Sequence, residues 1–117
     1  MRHAAKRDAN HGELEAVFRK MLGDHVTDSS KWGDGAGDLF VSFGKVHYFV
    51  EIKRDENADY TPAQIRFRRT HPHAVLRCES IDQAAALCKR IRFEAQMAEI
   101  ADRPWRAPSS SRIDGAG

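Results

Sequence analysis

Leu14, Val17, Phe18, Met21 and Leu22 recur at the spacing of one helix face, which predicts a helix from His11 to Leu22. Asn10 stands where an N-cap would, Glu13 follows three residues later, and Gly23 closes the segment. A short strand is expected near His25 to Thr27. The Gly- and Asp-rich connection from Lys31 to Gly37 has nothing to pack and reads as an exposed loop. Beyond it the period changes from helical to two. Asp38 to Phe43 and Val46 to Lys53 read as antiparallel strands joined by Gly44 and Lys45, whose leading glycine suits a type II′ hairpin turn. After a polar loop, Arg54 to Tyr60, comes Thr61-Pro62-Ala63-Gln64, with Thr61 as N-cap, Pro62 at the first helical position and Gln64 at the third. That helix ends before Pro72. Ala74 to Cys78 supplies a fourth strand, and Ser80 with Gln83 opens a last helix carrying Ile81, Ala84, Leu87, Cys88 and Ile91 toward Pro104. Strand, helix, strand in succession implies a parallel crossover. The expected fold is α/β in the order αβββαβα: a mixed central sheet with the first helix on one side and the later helices on the other or flanking it.

A two-residue turn fixes the register, so Phe43 faces Val46 and, down the ladder, Asp38 faces Glu51. Alternation puts Glu51 and Lys53 on one face of their strand and Val50 and Ile52 on the other. Carboxylates directly opposite each other on adjacent strands have Cβ atoms about 4.5–5.5 Å apart, which is destabilising unless a proton or a cation stands between them. A hard divalent cation meets that need, because Mg²⁺ takes one or two carboxylates, keeps several waters and accepts a backbone carbonyl such as that of Ile52. Lys53 then stands where an attacking water or a scissile phosphate is bound, able to orient the water and to offset developing negative charge. These are parts suited to phosphodiester hydrolysis. An ordinary exposed charge cluster at a sheet edge would contain the same three residues.

Composition narrows the setting. With 117 residues, 13.2 kDa and 41% hydrophobic residues there is material for one core, and a single domain over residues 1–105 is expected. Residues 106–117, rich in Pro, Ser, Gly and Arg, have little to bury and read as a disordered tail. No apolar run approaches the roughly 18 residues that span a bilayer, and Met1 to Asn10 carry charges with no apolar segment behind them, so a cytoplasmic location is expected. Cys78 and Cys88 lack a CxxC spacing and read as buried hydrophobes rather than a disulfide or a zinc site. The net charge of +2 is mild, but basic and acidic groups are segregated. From Tyr60 to Cys78 there are four arginines and no carboxylate. Arg66, Arg68 and Arg69 suit either a phosphate-gripping surface or a solvated helix face.

Taken together, Gly37-Asp38-Leu39, Glu51-Ile52-Lys53 and Thr61-Pro62-Ala63-Gln64, preceded by Arg7-Asp8-Ala9-Asn10 and Glu13, resemble the VRR-NUC (virus-type replication-repair nuclease) branch of the PD-(D/E)XK nucleases. The likeness spans about Lys6 to Leu87. It implies a restriction-endonuclease-like core and a DNA endonuclease dependent on Mg²⁺ or Mn²⁺, often a homodimer, acting on branched DNA such as four-way Holliday junctions. Stand-alone members of the branch are small phage or bacterial proteins. Carried over by position, Asp38 and Glu51 match the metal-binding acids, Lys53 the catalytic lysine and Gln64 the glutamine of the following helix. Glu13 matches the acid of the first helix that approaches the metal or its water. This chain departs from the pattern at Gly37, where a proline commonly stands, and at His11, where relatives often have another acid. Glu13 and Gln64 each sit three residues after a candidate N-cap, where the side chain can close a capping box, so both roles stay open; Glu15 is the alternative to Glu13. Two other functions suit the same residues: a nucleic-acid-binding module that keeps the fold without turnover, and a nuclease for linear duplex, flaps or RNA. His71 and His73 read as solvated loop residues, and Trp32 either stacks on a base or covers the hairpin.

Overall fold

The hairpin takes the register that its two-residue turn dictates. In a computed structural model, which describes residues 10–104, β2 (Leu39–Phe43) and β3 (Val46–Ile52) run antiparallel, with Phe43 opposite Val46 and Leu39 opposite Val50. Gly44 has φ 61° and Lys45 stays out of the left-handed region, as a type II′ turn requires. β1 (Val26–Asp28) pairs antiparallel with the outer edge of β2. β4 (Val75–Cys78) pairs parallel with β3, and the result is a four-stranded mixed sheet in the order β1-β2-β3-β4. The three helices are α1 (His11–Leu22), α2 (Pro62–Thr70) and α3 (Ile81–Ala101), with a 3-10 turn at Gly23–His25. The chain is thus α/β, with helices and strands in the expected order.

Asp38 and Lys53 fall just outside the strands that were expected to include them. Both still bond to the sheet, but Asp38 slips one residue from the hairpin register, so the expected direct pairing of Asp38 with Glu51 is not part of the ladder. The Asp38 N–H donates to Val50 O at 2.8 Å and the Lys53 N–H to Cys78 O at 2.9 Å. Leu39, Val41, Val50 and Ile52 face a core shared with Leu76 and Cys78 of β4, Leu14, Phe18 and Leu22 of α1, and Ala84, Cys88 and Ile91 of α3. The later helices were expected on the side opposite α1 or flanking the sheet; α3 instead shares the core face with α1. Its buried stripe, Ala84, Cys88, Ile91 and Ala95, is built of small and medium side chains that let it lie close to α1 and the sheet together. Of the described helices only α2 covers the other face, where its Phe67 meets Phe49 of β3 edge-on at 5.0 Å.

The helix starts behave unequally. Thr61 and Gln64 form a full capping box: the Thr61 hydroxyl accepts from the Gln64 N–H at 3.2 Å, and Gln64 Oε1 accepts from the Thr61 N–H at 2.9 Å. Ser80 Oγ accepts from the Gln83 N–H at 3.2 Å. Asn10 makes no side-chain cap. Its amide instead donates to Glu79 O at 3.2 Å and Lys53 O at 3.4 Å, tying the start of α1 to the C-terminal ends of β3 and β4. The 31–37 loop is exposed for the most part, but Ala36 is buried, and Gly35, at φ 76°, lies so close to Ala63 that a Cβ there would overlap the Ala63 carbonyl. The loop is packed against the start of α2, contrary to expectation. Cys78 and Cys88 are free and buried, and burial pushes both thiols up to about 11. The expected tail, 106–117, and Lys6 to Ala9 lie outside the described residues. No described helix is long and apolar enough to cross a membrane.

Candidate functional site

Glu51 sits on β3, flanked by β2 and β4 and roofed by α2, and it is 0% exposed. A charged side chain so placed needs partners. Oε1 accepts from Arg68 Nη1 at 3.3 Å, whereas Oε2 is buried with no hydrogen-bond partner. Burial raises the Glu51 pKa above its ordinary value; Arg68 and then Lys53 pull it down, and the charge of Asp38 pushes it up. Asp38 is held beside it, with Oδ2 accepting from the Ile52 N–H at 2.8 Å. The approach of the two strands here depends on Gly37. Its φ is 89°, and a Cβ would stand 3.0 Å from Val50 O and 3.4 Å from Glu51 Cγ. Proline, locked near φ −65°, is excluded from this conformation.

Lys53 Nζ donates to Gln64 Oε1 at 2.9 Å and to Asp59 O at 3.0 Å. Gln64 Oε1 therefore serves the capping box and Lys53 at once, so the capping role is realised and the same oxygen also holds Lys53. Tyr60, which the sequence did not single out, gathers three cations around one ring: Arg68 Cζ at 4.4 Å, Arg77 Cζ at 5.0 Å and Lys53 Nζ at 5.5 Å. Arg77 lies opposite Glu51 in the β3–β4 register, pairs with Glu79, and donates to Asp55 O and Ala58 O at 2.8 Å each, fixing the loop that carries Tyr60. Strand periodicity around Leu76 and Cys78 was the signal that could have found Arg77.

The remaining expected residues divide. Arg66 and Arg69 are exposed on α2, while Arg68 is turned inward onto Glu51 and does not join them as a solvent-facing phosphate grip. Glu13 is exposed, and the missing cap at Asn10 removes the capping-box explanation for it. His11 is the residue of that first turn that points inward: it is 5% exposed, with Nε2 3.6 Å from Glu15 Oε1. Ile52 gives its N–H to Asp38 and buries its side chain in the core. His71 and His73 are exposed, and the His71 ring rests on Phe67 at 4.5 Å. Trp32 lies over Phe40 and Phe49 at 5.7 and 6.0 Å, so it does cover the hairpin.

Among the described residues no group of three or more His, Cys, Asp or Glu side chains is arranged to hold an ion. The donor set is two carboxylates with backbone carbonyl groups nearby, all hard oxygen, which suits an ion that retains most of its water. The unpartnered Glu51 Oε2 is an acceptor awaiting a donor or a cation. A cavity of about 170 Å³, lined by Gly35, Ala36, Gly37, Asp38, Thr61 and Gln64 among others, opens beside Asp38. Compared with models of known protein families, with curated proteins and with solved structures, the chain gives no match.

Proposed function

We propose that the chain is a metal-dependent endodeoxyribonuclease with a restriction-endonuclease-like core, of the VRR-NUC kind, acting on branched DNA as a homodimer. The observation that carries this reading is the fully buried Glu51 carboxylate, one oxygen unpartnered, beside Asp38 at the end of the hairpin. Asp38 and Glu51, with the Ile52 carbonyl, are the residues that would hold Mg²⁺ or Mn²⁺. Such an ion, when bound, supplies Lewis-acid stabilisation of phosphoryl oxygens and lowers the pKa of bound water. Lys53 is steadied by Gln64 and Asp59, so its ammonium can hold the attacking water and meet the negative charge that develops at the phosphate. Water adds to phosphorus, one ester P–O bond breaks, and the departing sugar oxygen takes a proton. Arg66 and Arg69 supply exposed cations for the DNA backbone. Glu13, exposed on the first turn of α1, is the acid that the resemblance assigns to the metal or its water, and a second protomer would bring a second site to the opposite strand.

One observation favours a second reading, a DNA-binding module without turnover: Arg68 already pairs with Glu51 where an ion would bind. A single experiment separates the two. Branched DNA is incubated with the protein and Mn²⁺, beside Lys53→Ala. The nuclease reading expects metal-dependent nicking by the parent and a loss of about 10²–10⁴-fold in the variant. Binding without nicking by the parent supports the second reading and overturns the first.

A further inference from the structure

The carboxylate site occupies one end of a sheet face whose other end is aromatic. Alternation along β3 puts His47, Phe49 and Glu51 on the face opposite the core, and along β2 it puts Ser42 and Phe40 there. Same-face neighbours on a strand are about 7 Å apart, and His47 is about 13 Å from Glu51 by strand rise. The rings form a connected series. Phe40 and Phe49 meet at 4.9 Å, Trp32 lies over both, and His47 stacks on Phe40 with planes 8° apart. Covering the pair does not bury Trp32, which remains 53% exposed, and His47 is exposed as well. Beside this row α2 presents Arg66 and Arg69 to solvent. A second cavity, about 290 Å³, is lined by Arg66, Phe67, Thr70 and His71 with a single acid, Asp34.

We infer that this face is a stacking platform for unpaired bases of single-stranded DNA, leading the strand toward the Asp38–Glu51 site. The inference rests on the proposed nuclease function for its choice of DNA. Aromatic rings offer π-faces that any base can stack on, and neighbouring cations track the backbone; that combination is how proteins hold single strands without reading sequence. Trp32 and His47 are the exposed rings of the series and the ones that bases can reach, with Phe40 and Phe49 beneath them as support. A branched substrate with splayed, unpaired residues next to the scissile phosphate fits such a surface better than a continuous duplex, whose bases stay stacked on one another.

The test uses the full chain in EDTA, where hydrolysis does not intrude. Fluorescence anisotropy compares labelled short oligo-dT with a duplex of equal length for the parent, Trp32→Ala and Trp32→Phe. The parent is expected to prefer oligo-dT. Trp32→Ala is expected to weaken oligo-dT binding by roughly 5- to 150-fold, the worth of one stacked base, with duplex binding little changed. Trp32→Phe restores most of the loss. A parent that prefers duplex, a Trp32→Ala that leaves oligo-dT binding unchanged, or one that weakens both ligands equally overturns the inference. Because the assay is metal-free, a protein that stacks single strands but never nicks DNA sinks the nuclease reading alone, and nicking without any effect of Trp32 sinks the platform alone.

Discussion

Removing the guanidinium of Arg68 measures what it costs to keep Glu51 charged inside the protein. Glu51 is fully buried, and Arg68 Nη1 at 3.3 Å is its one side-chain hydrogen-bond donor among the described residues. Deleting one member of a buried ion pair costs about 3–5 kcal/mol, because the other is left uncompensated. The Arg68 side chain is 32% exposed, so water takes up part of the role, and about 2–3 kcal/mol is the expectation for Arg68→Ala. At about 4–8 °C per kcal/mol for a domain of this size, the variant should melt roughly 10–20 °C below the parent in EDTA near neutral pH. The pH dependence has a definite sign. Burial holds the Glu51 pKa above its ordinary value of 4.5, so the folded state binds this proton more tightly than the unfolded chain. The stability it contributes is full below the unfolded pKa and is lost as pH rises through the folded one. Arg68 is a group that lowers that pKa, so without it the deficit is small in acid and grows toward neutral pH. Mn²⁺ supplies the missing positive charge. Saturating metal is therefore expected to raise the melting temperature of Arg68→Ala by more than that of the parent. Thermal melts at about pH 5 and pH 8, with EDTA or Mn²⁺, measure every part of this. A variant as stable as the parent at the higher pH in EDTA, or one that gains no more from Mn²⁺ than the parent does, refutes the reasoning.

Gln64→Ala removes the capping box and the anchor of Lys53 together, so it should lower stability by about 1 kcal/mol while reducing DNA nicking by more than that loss of folded protein explains. Paired melting and nicking assays check it, and a proportional loss would leave the glutamine as a cap alone. Gly35→Ala meets both a left-handed φ of 76° and the Ala63 carbonyl, and is expected to destabilise by about 1–3 kcal/mol or more. Gly12→Ala, within α1 and with open space around it, should stabilise by about 0.5–1 kcal/mol; urea melts of the two variants should move in opposite directions. Cys78 and Cys88, buried with thiols pushed up to about 11, should resist a thiol reagent in the folded protein and react on unfolding; fast labelling in native buffer would contradict their burial.

What was legible in the sequence is what short-range chemistry decides. The bounds of α1 follow from one apolar stripe and a closing glycine, and the register from Phe43–Val46 to Leu39–Val50 follows from Gly44-Lys45. Asp38 itself leaves that register, its N–H donating to Val50 O and its carboxylate accepting from the Ile52 N–H, so its place beside Glu51 is not set by the turn alone. The Thr61 box is equally local. The rest depended on how elements dock. The stripe Ala84, Cys88, Ile91 and Ala95 says that α3 has a buried face but not which side of the sheet receives it. Arg66, Arg68 and Arg69 look alike along the chain; only the seating of Phe67 on Phe49 fixes the rotation of α2 and sends Arg68 to Glu51 while its neighbours face water. Asn10 is a good capping residue whose amide is captured by the carbonyl groups of Lys53 and Glu79, a tertiary contact that overrides local preference. Tyr60 lies in a polar loop, and nothing in its immediate sequence says that three cations converge on it.

The two faces of β3 show why the functional reading centres on Glu51. Val50 and Ile52 point into the core and are buried, as an alternating strand demands. Glu51, between them on the opposite face, is buried as completely, at a position where an apolar side chain would satisfy every local rule. Replacing a buried charge and its partner by well-packed apolar groups is often neutral or stabilising, so the ion pair with Arg68 does not account for the carboxylate by stability alone. Nor does the pair use it fully, since Oε2 has no partner. Sequences that specify a fold consistently break local rules where function requires it. Here the exception adjoins a second carboxylate, a lysine fixed by a helix cap, and a glycine at a φ that proline cannot adopt. Each of these restricts the geometry around Glu51, and none is needed to close the hydrophobic core on the other side of the sheet.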